Sequence, residues 1–91
     1  MPTVRLTIIG RVQGVGYRIW AERTAAALGI RGWARNRRDG SVELLATGGD
    51  DAIAALIEAC RHGPPAAVVT DIIVEDAKDD GSIGFGAKPT V

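Results

Sequence analysis

The repeat distance of the apolar residues changes along the chain, and that change constrains the fold more than any other feature. Val4, Leu6 and Ile8 alternate with Arg5 and Thr7, the period of two of a half-buried strand. From Tyr17 the spacing becomes helical. Trp20, Thr24 and Leu28, with Ala21 and Ala27 beside them, share a face, and Gly29 is placed to end the helix. Ile30 to Asn36 and Ser41 to Thr47 read as two further strands, joined through Asp39-Gly40, a dipeptide that favours a tight hairpin. Gly49 or the aspartates after it can cap a second helix whose Ile53, Leu56, Ile57 and Cys60 fall on one side; Gly63-Pro64-Pro65 stops it. Val68 to Glu75 is rich in β-branched residues and reads as a fourth strand. Ile83 to Ala87 is expected as a short edge strand, weakened by Gly84 and Gly86.

This order predicts an α+β chain, a ferredoxin-like β-α-β-β-α-β sandwich with an antiparallel sheet and two helices on one face. In that arrangement the first and second strands run parallel with the third between them, so their C-terminal ends share an edge of the sheet. The loop after the first strand and the Asn36–Gly40 turn are therefore predicted to be neighbours. With 91 residues, a single domain over 1–91 is expected. A composition 46% apolar and 24% charged belongs to a folded chain rather than a disordered one. No apolar run approaches the roughly 20 residues that cross a bilayer. Nor does a basic, apolar, small-residue order open the chain as in a signal peptide. A soluble cytoplasmic protein without a membrane partner is the expectation, and nothing in the sequence calls for an oligomer, so a monomer is expected.

Cys60 is the only cysteine, which excludes an intrachain disulfide and suits a reducing compartment. His62 is the only histidine, and one Cys with one His cannot furnish a structural zinc site. Asp50–Asp51 and Asp79–Asp80 read as a helix start and a solvated turn rather than as metal ligands. The net charge is zero but unevenly spread. Up to Leu45, eight arginines face only Glu22, Asp39 and Glu43; beyond it, Arg61, Lys78 and Lys88 face eight acids. Positive charge thus sits beside the first loop and suits an anionic ligand, although solvated arginines alone also account for it.

That loop is "GRVQGVGYR", Gly10 to Arg18. It fails the dinucleotide fingerprint, because the third glycine position after Gly14 and Gly16 is Ile19, and it fails the P-loop pattern, which would need a glycine at Val15. The physics behind those motifs is still available. Glycines at positive φ shape the backbone N–H groups into a concave nest for an anion, and the following helix adds its own unpaired donors and the positive end of its dipole. Arg18, in the first helical turn, carries a planar fork suited to two phosphate oxygens. A plain turn with a solvated arginine is the competing reading. Asn36 likewise admits two readings: its amide can donate and accept at once, as positioning a water requires, or it can close the hairpin through an Asx-type turn.

"GRVQGVGYR" together with "GWARNRRDGSVELLATG", Gly32 to Gly48, closely resembles the two signatures of the acylphosphatase family, G-R-V-Q-G-V-x-[FY]-R and G-[FYW]-x-x-N-x-x-x-G-x-V-x-x-x-x-x-G. Every defined position is met, from Gly10 through Tyr17 and Arg18 to Gly32, Trp33, Asn36, Gly40, Val42 and Gly48. The resemblance extends from residue 4 to about residue 76. It implies the ferredoxin-like fold and hydrolysis of acyl phosphates to a carboxylate and inorganic phosphate. It also implies Arg18 and Asn36 as the catalytic pair and a phosphate cradle running Val12, Gln13, Gly14, Val15, Gly16 and Tyr17. No metal or cofactor is implied. The tail "IGFGAKPTV" departs from the family, which usually ends in an aromatic followed by alternating branched residues. That departure puts the last strand in question, and the two catalytic positions are expected to be untouched by it.

A guanidinium and a primary amide cannot serve as a base, Asp39 is expected in an exposed turn, and Glu43 alternates away from it. Such a site must attack an easy bond. An acyl phosphate offers one, because its carboxylate leaving group has a pKa of about 4 and departs without a proton. Arg11, Arg35, Arg37 and Arg38 either draw the anion in or only keep the surface soluble. The main alternative is a non-catalytic phosphate- or RNA-binding module. Nucleic acid is not expected as a partner, since the strands over Val4–Ile9 and Val42–Leu45 carry no aromatic for stacking bases. A carbamoyl-phosphate-cleaving domain like that of hydrogenase maturation proteins is a further alternative, with no additional domain here to support it.

Overall fold

A computed structural model describes residues 1–91. The elements run β1 (Thr3–Arg11), α1 (Tyr17–Ala27), β2 (Arg31–Asn36), β3 (Val42–Thr47), α2 (Asp50–His62), β4 (Val68–Asp76) and β5 (Phe85–Ala87). They build one sheet in the order β4-β1-β3-β2-β5. The alternation in β1 does what its period requires: Val4, Leu6 and Ile8 face a core shared with Ala34 of β2 and with Val42, Leu44 and Ala46 of β3. Helix α1 contributes Tyr17, Ala21 and Ala25 to that core, and α2 contributes Ile53, Leu56 and Cys60. Both helices therefore cover the same face. Leu6, Ile8, Leu44 and Leu56 are fully enclosed, and burial of each stabilises the fold by about 1.5–3 kcal/mol.

Four expectations are corrected. The sheet is mixed rather than wholly antiparallel, because β5 pairs with β2 in parallel, Gly32 opposite Phe85 and Ala34 opposite Ala87. The buried stripe of α1 is rotated from the expected face: Ala25 is enclosed, Trp20, Thr24 and Leu28 flank it, and Ala27 is exposed. Between β2 and β3 the hairpin is wider than a two-residue turn. Arg37 N–H donates to the Ser41 carbonyl at 2.9 Å and Gly40 N–H to Arg37 at 3.1 Å, while the Asp39 carboxylate takes the N–H and hydroxyl of Ser41. The resulting register sets Asn36 opposite Val42 and Arg35 opposite Glu43. Finally, Asp79 and Asp80 do not form a merely solvated turn. They anchor the strap between β4 and β5: Asp79 pairs with Arg31 at 2.6 Å, and Asp80 accepts from Trp33 Nε1 at 2.8 Å. No helix is long and apolar enough to cross a membrane.

Candidate active site

Strands β1 and β2 flank β3 and both antiparallel it, so they run parallel to each other and deliver their C-terminal ends to one edge. At that edge a cavity of about 150 Å³ is lined by Val12, Gly14, Gly16, Tyr17, Arg18, Ile19 and Asn36. The predicted meeting of the loop with the end of β2 is therefore observed. Gly14 and Gly16 have φ of 74° and 79°, values a side chain would strain, and they alternate with Gln13 and Val15 to curl the loop. Val12 is buried in the core and fixes the loop's near end. Tyr17 fixes the far end, its hydroxyl donating to the Cys60 carbonyl at 2.7 Å.

Through this stretch, from Val12 to Ile19, no backbone N–H has an acceptor in the chain. Helix α1 adds to the deficit, for Gly16 caps it without a side-chain bond and no acid lies in its first turn. A row of unsatisfied donors beside a helix N-terminus attracts an anion. Arg18 reinforces it. It makes no ion pair, and its one protein acceptor is the Lys88 carbonyl at a long 3.4 Å. The Asn36 amide has no hydrogen-bond partner in the chain either; the Asx-type role is filled by Asp39, which leaves Asn36 free to face the cavity.

Of the predicted site residues, Arg18, Asn36, Val12, Gly14, Gly16 and Tyr17 line the cavity, and Gln13 and Val15 do not. Gln13 turns its side chain away to the β2–β3 hairpin, and Val15 packs against the core. Tyr17 borders the site with its ring sunk in the core, where burial raises its phenol far above the ordinary value. Burial likewise pushes the Cys60 thiol up to about 11. Both groups stay protonated at neutral pH, and neither is a nucleophile. No three His, Cys, Asp or Glu side chains are grouped to hold a metal ion.

The tail was expected to leave the catalytic positions untouched, and here the structure differs. Lys88 N–H donates to Ala34, Val91 N–H donates to the Asn36 carbonyl at 3.2 Å, and Lys88 receives the Arg18 bond. In each contact the tail takes part through its main chain, which side-chain patterns do not announce. Three of the arginines beside the motifs are also not free. Arg5, Arg35 and Arg37 converge on Glu43 at 3.2, 2.7 and 3.3 Å on the sheet face away from the helices.

The acylphosphatase family model matches residues 4–86. An acylphosphatase of Rhodopseudomonas palustris (strain BisB5) is 54% identical over 79 residues, 86% of this chain and 80% of that protein. One of Rhodospirillum rubrum is 46% identical over 91 residues, the whole of both chains. The crystal structure of acylphosphatase from Bacillus subtilis superimposes with a TM-score of 0.92 at 38% identity, covering 97% of this chain and 99% of the other.

Proposed function

Because the chain belongs to the acylphosphatase family and its activity is the hydrolysis of acyl phosphates, we propose that the loop from Val12 to Tyr17 and Arg18 hold the phosphoryl group while Asn36 aims the attacking water. The observation that carries this assignment is the cavity itself, which is lined by residues with donors lacking acceptors, an arginine without a carboxylate and an amide without a partner. At about 150 Å³ it lies well under the roughly 300–1,000 Å³ that encloses drug-sized ligands. It suits a phosphoryl group and a water, leaving the acyl part of the substrate outside.

Phosphoryl transfer passes through a loose transition state in which charge spreads over the equatorial oxygens. Loop amides and Arg18 stabilise those oxygens, and Asn36 sets the water in line. The water oxygen bonds to phosphorus as the bond to the carboxylate oxygen breaks; the carboxylate leaves with the bonding pair, and the water's proton passes to a phosphoryl oxygen. No protein base takes part. An alkyl phosphate, whose alkoxide needs a proton to leave, is a poor substrate for such a site.

The same reading takes the working unit as a monomer of one domain, the single domain being supported by one continuous core. A buried free thiol favours the cytoplasm. The test is benzoyl phosphate hydrolysis in excess chelator, with the parent beside Asn36→Ala and Arg18→Ala at matched fold. We expect chelator-resistant turnover, a kcat loss of about 10²–10³ for Asn36→Ala with phosphate inhibition retained, and loss of both for Arg18→Ala. A folded parent that binds phosphate without turnover, or cleaves alkyl phosphates equally fast, would overturn the mechanism.

A further inference from the structure

From the two hydrogen bonds of the Gln13 side chain we infer that Gln13 is a positioning residue, the strut that fixes the phosphate loop at a set distance from Asn36. The inference rests on the reading that Asn36 aims the water. Strand β3 separates β1 from β2, so their axes are about 10 Å apart and no ladder bond can join the loop to the end of β2. The side-chain amide of Gln13 supplies the only hydrogen bonds across that gap: Nε2 donates to the Arg37 carbonyl at 2.6 Å and to the Ser41 carbonyl at 2.8 Å. Both amide protons are used. Arg37 directly follows Asn36, and its N–H donates to the same Ser41 carbonyl. Gln13 therefore grips the two carbonyls that close the hairpin behind Asn36.

The loop needs such an anchor at this point. Val12 and Tyr17 hold the two ends of the loop and Val15 rests on the core, but Gly14 and Gly16 between them have most backbone freedom, and none of these contacts reaches the Asn36 hairpin. A loop free to drift by an ångström would still bind phosphate through its own donors and Arg18, but would present phosphorus off the water's line of attack. Misplacement on that scale costs about 10²-fold in rate. The signature of a strut is thus a loss in kcat without a loss in anion binding.

The experiment is a cycle of four proteins, the parent, Gln13→Met, Asn36→Ala and the double variant, assayed with benzoyl phosphate and with inorganic phosphate as competitive inhibitor. Methionine keeps the length and removes the donor. We expect Gln13→Met to lower kcat by about tenfold or more while the phosphate inhibition constant moves less than about threefold; in the Asn36→Ala background the same change should alter kcat less than about twofold. An equal factor in both backgrounds, or a phosphate constant that rises with the kcat loss, overturns the inference. Should Asn36→Ala retain parental kcat, the reading of Asn36 fails and takes this inference with it, a result distinct from an inactive Asn36→Ala with an additive Gln13 effect. Gln13→Glu supplies a readout that a packing role would not move. Protonation restores one donor, so its kcat relative to Gln13→Met should rise as pH falls through the carboxyl titration; a flat ratio counts against the strut.

Discussion

Arg18 and Arg35 both come from the motif segments, yet they lie in opposite electrostatic settings. Arg18 stands beside acceptor-poor backbone and meets no carboxylate, and it lines a cavity. Arg35 donates from Nε to the Glu43 carboxylate at 2.7 Å and lies over the Trp33 ring at 4.6 Å. Arg5 and Arg37 join it on the same carboxylate, whose side chain is only 4% exposed. One edge thus keeps an arginine available to a ligand, and the open face of the sheet draws three arginines onto one buried carboxylate, which offsets one of their three charges. Local sequence cannot separate the two cases. What separates them is whether the sheet register brings an acid opposite.

The strongest way to break this contrast is to remove the acid. Glu43→Leu leaves three guanidiniums around an apolar floor. Removing one partner of a buried pair costs about 3–5 kcal/mol, here at the lower end because Arg5 and Arg37 are 45% and 43% exposed and can turn to water. At roughly 4–8 °C per kcal/mol for a domain of this size, Tm should fall by about 10–20 °C. Thermal unfolding measures that drop. Well below Tm, kcat should stay within about threefold of the parent, since Glu43 faces away from the cavity; a large kcat loss at full folding would join the two regions the comparison keeps apart.

How much of this was legible in the sequence follows from the same register. The change from period two to helical spacing across the glycine loop gave β1 and α1, and the topology then brought the loop to Asn36. The Glu43 cluster was not legible. A two-residue turn at Asp39-Gly40 would set Asn36 opposite Glu43, whereas the observed Arg37–Ser41 connection shifts the pairing by one and sets Arg35 there instead. Such a slip exchanges the faces of a strand, and it hinges on the Asp39 side chain capping Ser41. The tail was partly legible: a short edge strand was expected over Ile83–Ala87 and forms at Phe85–Ala87, whereas its parallel pairing with β2 was not foreseen. Phe85 to Ala87 is held by main-chain pairing with β2, so glycines and a proline that weaken a strand pattern do not prevent it.

A smaller effect concerns the strap that closes over Trp33. Asp80 is held down to about 2, chiefly by the Ser82 hydroxyl and then by Trp33 Nε1, and Asp79 is lowered by its bond from Arg31. Folded values below the unfolded range of about 3.9 mean that these acids stabilise the fold at neutral pH. That stability begins to fade as pH falls below about 4 and is gone once pH passes the folded value. Both groups are exposed, so Asp80→Asn should lower Tm at pH 7 by only about 1–4 °C. In a Trp20→Phe background, acid titration followed by Trp33 fluorescence is expected to show a transition that Asp80→Asn flattens. An unchanged acid transition in Asp80→Asn would detach the strap from the titration.

The smallest effect sharpens the contrast at long range. Arg11 and Arg38 are exposed, form no ion pair and lie at the loop edge, Arg11 directly before Val12 and Arg38 within the hairpin after Asn36. No carboxylate meets either of them, whereas Arg35 lies against Glu43. Charge that only steers raises kcat/KM without touching kcat, and salt removes it, because the screening length shrinks from about 30 Å at 0.01 M to about 3 Å at 1 M. Replacing Arg11 and Arg38 together by Gln should therefore lower kcat/KM by about two- to fivefold at low salt and leave it unchanged at 1 M. Arg35→Gln should lower Tm and change the salt slope less than the paired substitution does, since it removes one charge, from the sheet face away from the cavity. If Arg35→Gln flattened the salt slope as much as the paired substitution, proximity to the edge rather than pairing with Glu43 would decide which arginines the substrate senses.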